Sequence, residues 1–109
     1  MKLGVLTLLF GTKPLEESLD YLKSLGVEAV EFGAGAYVTS GHFNTREFLN
    51  DESKLRRLKE AVRERNLIIS ALSCHGNPLH PNPGIGKAHH KDFVRTCHSA
   101  HKSKSGFWA

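Results

Sequence analysis

At 109 residues, 39% of them apolar and 24% charged, the chain has the size and composition of one soluble globular domain, which excludes a disordered, fibrous or two-domain protein. Fifteen Lys and Arg against eleven Asp and Glu give a formal charge of +4, and the excess is local: ten basic and ten acidic residues up to Asn66, five basic and one acidic after it. All the histidines except His42 lie in that basic part, so mild acidification makes it more basic still, a balance that permits a nucleic-acid surface without demanding one.

Residues 2–7 are apolar nearly throughout, which predicts a strand covered on both faces, as in a parallel sheet. The stretch is short, is interrupted by Gly4 and Thr7, and has no small-residue cleavage site, so it does not read as a signal peptide. A helix signal follows. Thr12 can cap, Pro14 fits the first turn, Glu16 and Glu17 favour the positive end of the helix dipole, and Leu15, Leu19, Leu22 and Leu25 form one stripe before Gly26. Residues 27–32 (VEAVEF) predict a second strand, and 33–50 a long polar, glycine-bearing loop.

A second helix is expected over 51–65, burying Leu55, Leu58 and Val62, with its arginines on a solvated, ion-paired face and Asn66 as its stop. Residues 67–73 (LIISALS) predict a third buried strand. CHGNPLHPNPG then makes a Pro/Gly-rich loop ending in Asn82-Pro83, a cap followed by a first-turn proline. On the third helix Ile85, Phe93 and Cys97 are four or eight apart, and His89 completes their stripe as a core histidine. The order is βαβαβα, which implies parallel strands with right-handed crossovers, so the loops after the strands share the face where α/β folds bind ligands.

No apolar run approaches the roughly 20 residues of a membrane-spanning helix. Cys74 and Cys97 form no CxxC pair, and two cysteines are too few for a disulfide scaffold, so a reducing cytoplasm is the expected location. Gly33-Ala34-Gly35 lacks the third glycine and following helix of a dinucleotide fingerprint.

Three places carry candidate chemistry. Glu31 lies near the end of the second strand, where a carboxylate must be paired or open onto a polar site; the competing reading is an end residue reaching solvent. The segment from Cys74 to Pro81 packs a thiol, the imidazoles of His75 and His80 and the amide of Asn77 into a rigid strand-end loop. Such groups can hydrogen-bond sugar hydroxyls or hold a divalent metal. Cys74 reads as a small buried residue, since no cationic partner is identifiable for a nucleophile. His98 and His101 have an i, i+3 spacing, but no matching ligand pair or familiar zinc spacing accompanies them.

At CHGNPLHPNP, taken with MKLGVLT and GVEAVEFG, the chain resembles the sugar phosphate isomerase/epimerase family, whose members have the xylose isomerase-like TIM barrel. The resemblance runs from residue 1 to about 97. It implies the βαβαβα portion of a (β/α)8 barrel, with Glu31, His75, Asn77 and His80 as substrate-binding residues at the strand ends. It also implies a small sugar or polyol substrate, a divalent metal (Mn, Mg, Co or Zn) in the complete barrel, and proton or hydride transfer between adjacent carbons. The family's metal ligands come mainly from later strands, so no metal ligand and no catalytic residue is assigned in this chain.

A whole barrel takes about 250 residues. After Cys97, HSAHKSKSGFWA offers neither a continued apolar helix nor a glycine and fourth strand, as an altered reading frame or early stop would produce. Residues 1–97 are therefore read as three βα units, and 98–109 as a divergent, frayed tail. Three functions follow: the N-terminal part of a sugar isomerase or epimerase, inactive by itself; a non-catalytic fragment that associates with itself or another chain through open sheet edges; or a metal-dependent endonuclease acting on abasic DNA, recognisable by salt-sensitive DNA binding.

Overall fold

The computed structural model describes residues 1–10, 12–37 and 41–103. Strand β1 (Gly4–Leu6) runs into a short 3-10 helix (Thr7–Phe10), followed by α1 (Leu15–Ser24), β2 (Ala29–Ala36), α2 (Thr45–Asn50), α3 (Glu52–Glu64), β3 (Ile68–His75) and α4 (Pro83–Ser103). The strands form one open parallel sheet in the order β1-β2-β3. The fold is α/β, strands alternating with helices as the hydrophobic pattern predicts. No helix among the described residues is long and apolar enough to cross a membrane.

Local chemistry sets the boundaries. Pro14, extended at ψ 152°, precedes α1 with no side-chain cap, so Thr12 does not play the capping role expected of it. Leu25 is 58% exposed: the helix has ended at Ser24 and the chain turns outward through Gly26 at φ 83°, which breaks the predicted stripe. Asp51 caps α3 by accepting from the Ser53 amide and hydroxyl, and those bonds hold its carboxyl below the usual range. Asn66 follows α3 at φ 56°, the left-handed residue expected after a helix end. Arg65 leaves the solvated face proposed for it and binds Asp20 of α1 at 2.6 Å.

Both later strands outrun their predicted ends. β2 continues through Gly33–Ala36 instead of leaving the sheet at Gly33, and β3 takes in Cys74 and His75. The expected 33–50 loop is therefore much shorter and contains α2, capped by the Asn44 side chain at Arg46 and Glu47. Residues 38–40 of that stretch lie outside the described residues.

The core lies on one side of the sheet, where Val30, Phe32, Ala34 and Ile69 meet Leu19 and Leu22 of α1, Leu55, Leu58 and Val62 of α3, and Phe43 with Phe48 from the β2–α2 region. Two register shifts, between Val30 and Glu31 and between Gly33 and Gly35, interrupt the β2–β3 ladder. At the first, Ser70 is an extra residue whose hydroxyl donates to the Val30 carbonyl. It moves β3 out of phase, so that Leu72 packs on the core beside Phe32 while Ala71 and Ser73 pair with Glu31 and Gly33.

Helix α4 corrects a second expectation. Ile85, Phe93 and Cys97 are exposed, Phe93 by 55%, and the helix instead turns Gly86, Thr96 and Ser99 inward. Close approach is the reason. A Cβ on Gly35 would lie 3.0 Å from the Asp92 Cβ and 3.4 Å from the Thr96 hydroxyl oxygen, and one on Gly86 2.7 Å from the Pro78 carbonyl oxygen, spacing that favours small inward residues. The helix runs to Ser103, so within the described residues no change of structure marks residue 97; 104–109 lie outside them.

Candidate functional site

Parallel pairing brings the C-terminal ends of the three strands to one side of the sheet. Glu31 is half-buried on β2, level with Leu6 of β1 and Ala71 of β3; because β2 runs on to Ala36, Glu31 is the third of its eight residues and not near its end as expected. The Ser73 hydroxyl donates to its carboxylate, satisfying one oxygen of a group that burial alone would penalise. His75 closes β3 as an exposed residue whose carbonyl accepts from the Tyr37 amide at 2.8 Å. Glu31, Ser73, Cys74, His75, Phe93 and Thr96 line one open groove of about 480 Å³ along the free edge of β3.

Asn77 and His80 lie beyond that groove, in the loop to α4. The Asn77 side-chain oxygen accepts from the Leu79 amide at 3.0 Å, its carbonyl accepts from the His80 amide, and its own N–H donates to His89 Nδ1 at 2.8 Å. His80 Nδ1 accepts from the Asn82 amide at 3.0 Å, and Asn82 caps α4 through the Gly84 amide as expected. The structure thus joins Glu31 and His75 in one groove and gives Asn77 and His80 turn-forming bonds beside it.

Three residues that sequence reasoning left out take part. Ser73 reaches Glu31 only because of the Ser70 bulge. Asp92 accepts from the Ala36 amide at 3.0 Å and pairs with Arg95 at 3.2 Å, which holds the end of β2 where Ala36 adopts φ 54°. His89, read as a core histidine, is half-buried and ties the Asn77 loop to α4. An acid and a histidine on one predicted helix, facing a Pro/Gly-rich loop, were the signals available for the last two.

Among the described residues, no group of three or more His, Cys, Asp or Glu side chains is arranged to hold a metal ion, so these donors do not fit the divalent metal that the sequence resemblance implies. His98 and His101 are exposed on α4. Arg56, Lys59, Arg63 and Lys102 share a cleft between α3 and α4 with Glu52 and Glu60, and Lys102 pairs with Glu52 at 3.2 Å, a mixed-charge face.

Burial pushes the Cys74 thiol up, against the lowering effect of its hydrogen bond with Thr96. Iodoacetamide at pH 7.5 is therefore expected to modify exposed Cys97 first and half-buried Cys74 several-fold more slowly, as mass spectrometry of the two peptides would show. Equal rates would place Cys74 among the reactive groups.

An open parallel α/β sheet with polar strand ends on one side defines the class. Over 95% of its length the chain shares the fold of a D-psicose 3-epimerase whose crystal structure was determined in the presence of D-fructose, with a TM-score of 0.61 and 14% identity, covering 35% of that protein. It is 35% identical over 89 residues to the uncharacterized protein YfiH of Bacillus subtilis (strain 168), a match that takes in 82% of this chain. The chain spans 28% of the length of that relative. No protein-family model matches it.

Proposed function

We propose that the chain is the N-terminal, three-unit part of a sugar (phosphate) isomerase/epimerase barrel of the xylose isomerase-like kind, and that its strand ends form part of a binding site for a small sugar or polyol. The observation that carries this reading is the groove lined both by Glu31, within β2, and by His75, at the end of β3, in a fold that a D-psicose 3-epimerase shares. Residues 1–97 supply the three βα units and 98–109 the tail. Glu31 accepts hydrogen bonds from sugar hydroxyls while Ser73 orients it, and His75, Asn77 and His80 offer the loop's polar groups. A complete barrel would hold a divalent metal to polarise the substrate carbonyl, with ligands from later strands, and would work in the cytoplasm.

Moving a proton between adjacent carbons needs an acid/base group within hydrogen-bond reach and stabilisation of the developing charge. Glu31 with Ser73 and His75 provides contacts, and the donor set does not provide the second requirement. The purified 109-residue chain is therefore expected to show no isomerase or epimerase turnover of D-fructose with or without added Mn, Mg, Co or Zn. Weak D-fructose binding, followed by NMR titration, is expected to fall at least about threefold in His75→Ala and to stay unchanged in His101→Ala, a loss of the order of one hydrogen bond. Metal-stimulated turnover abolished by Glu31→Gln would overturn the first expectation, and equal effects of the two histidine variants the second.

A second reading, association with a second copy or another chain, is favoured by a specific observation. Both sheet edges are open among the described residues, and Ile68 and Phe93 are exposed beside the β3 edge.

A further inference from the structure

The loop after β3 is tied down by imidazole nitrogens. The Asn77 N–H donates to His89 Nδ1 at 2.8 Å, a bond spanning twelve residues that joins the loop to α4. A backbone amide can only donate, so Nδ1 presents its lone pair and the proton of the neutral ring sits on Nε2. The surroundings fix the ring in that pose. The Tyr37 ring meets it edge-on at a centroid distance of 4.8 Å, and a Cβ on Gly76 would lie 2.9 Å from its Cγ and Nδ1.

We propose that His89 is a positioning residue that acts as a pH-sensitive latch, holding the Asn77 loop against α4 while neutral and releasing it when protonated. Its effect on sugar binding rests on the reading above; the latch itself does not. A proton on Nδ1 sets two N–H donors face to face across 2.8 Å, so the hydrogen bond is lost and the ring or the loop withdraws. The loop's hold is thus present while the imidazole is neutral and is lost once it is protonated.

The titratable and charged groups around the ring are Tyr37 at the end of β2, Cys74 and His75 on β3, and His90 and Asp92 on α4. Burial pushes the Cys74 thiol up, so acidification leaves it uncharged. His75 and His90 are the groups in this set that can change charge alongside His89, and His80 makes a similar bond further along the loop. The variants must therefore separate His89 from all three.

Hydrogen exchange of the 109-residue chain, read at the Asn77 amide by mass spectrometry with residue-resolving fragmentation and corrected for intrinsic exchange chemistry, makes the test at pH 7.5 and 5.5. Wild type is expected to lose about tenfold in protection at the lower pH, the effect of one hydrogen bond replaced by a donor clash. His89→Asn places a non-titrating acceptor oxygen near the Nδ1 position and is expected to retain protection at both pH values. His89→Phe is expected to lack it at both, while the β2 peptide reports that the sheet remains folded.

Wild-type protection that is equal at the two pH values overturns the latch. So does a His89→Asn variant that still loses protection at pH 5.5, which would assign the change to His75, His80 or His90, or one unprotected throughout, which would show that an acceptor is not what holds the loop. A 15N spectrum placing the neutral proton on His89 Nδ1 would overturn it as well. No sugar enters these measurements, so a failed D-fructose titration leaves the latch standing, and a failed latch leaves the binding site standing.

Discussion

Phe43→Ala is expected to be the most damaging single substitution in the core, costing about 3–5 kcal/mol, the usual result of removing a fully buried aromatic side chain and leaving its cavity. Phe43 is 0% exposed and joins two packings: its ring lies 5.7 Å from Phe32 of β2 and 4.8 Å, nearly perpendicular, from Phe48 of α2. Among the described residues it is the aromatic ring that meets both a ring of β2 and a ring of α2. A small domain has a total stability toward the low end of about 5–15 kcal/mol, so the loss consumes much or all of it. Thermal denaturation followed by far-ultraviolet circular dichroism should show the midpoint falling by about 12 °C or more, or no cooperative transition at all. Phe43→Leu retains most of the volume and should cost less than half as much. A Phe43→Ala midpoint within about 4 °C of wild type would mean that α2 and its loop are not integral to the core.

That residue also shows where the sequence stopped being informative. The strands and the helices α1, α3 and α4 were legible because their patterns are local: Leu55, Leu58 and Val62 repeat at helical spacing, and β-branched and apolar runs bounded by Gly or Asn mark the strands. Phe43 belongs to no such pattern. It stands alone among Gly, His, Asn and Thr in a stretch that reads as loop, and its burial follows from a tertiary contact with Phe32.

The candidate site divides in the same way. Parallel connectivity was enough to place His75 at the C-terminal end of the sheet, but not Glu31, which the extension of β2 to Ala36 leaves inside the strand, level with Ala71. The partnership of Glu31 with Ser73 was not legible, because strict alternation puts Ile69, Ala71 and Ser73 on one face, whereas the extra residue Ser70 turns the last two to the face of Glu31. For α4 the periodicity was read correctly and its direction wrongly. Ile85, His89, Phe93 and Cys97 do form one row, but α4 passes so close to Gly35, and Gly86 so close to the Pro78 carbonyl, that the small row of Gly86, Thr96 and Ser99 faces inward instead. Amphipathicity identifies a face to be covered; it does not say which neighbour covers it.

The uncovered row leads to the second large effect. The 109-residue chain is expected to self-associate, because Phe93 at 55% exposure and Ile68 at 40% lie beside the β3 edge, which pairs with no strand among the described residues and where a strand or helix from another copy can cover them. Covering about half of each of these side chains is worth about 1 kcal/mol apiece. Replacing both with lysine removes that gain and sets like charges across the contact, so Ile68→Lys/Phe93→Lys should raise the concentration for half-association by about thirtyfold or more. Neither residue belongs to the core cluster, and the melting midpoint of the dissociated double variant should stay within a few degrees of the wild-type value measured under dissociating conditions. Sedimentation across a concentration series, paired with binding of an apolar fluorescent dye, makes the comparison. A wild-type chain that remains a single monomeric species at high concentration and binds no dye would show that its own residues already cover this edge, and the association reading would then fail while the fold remained intact.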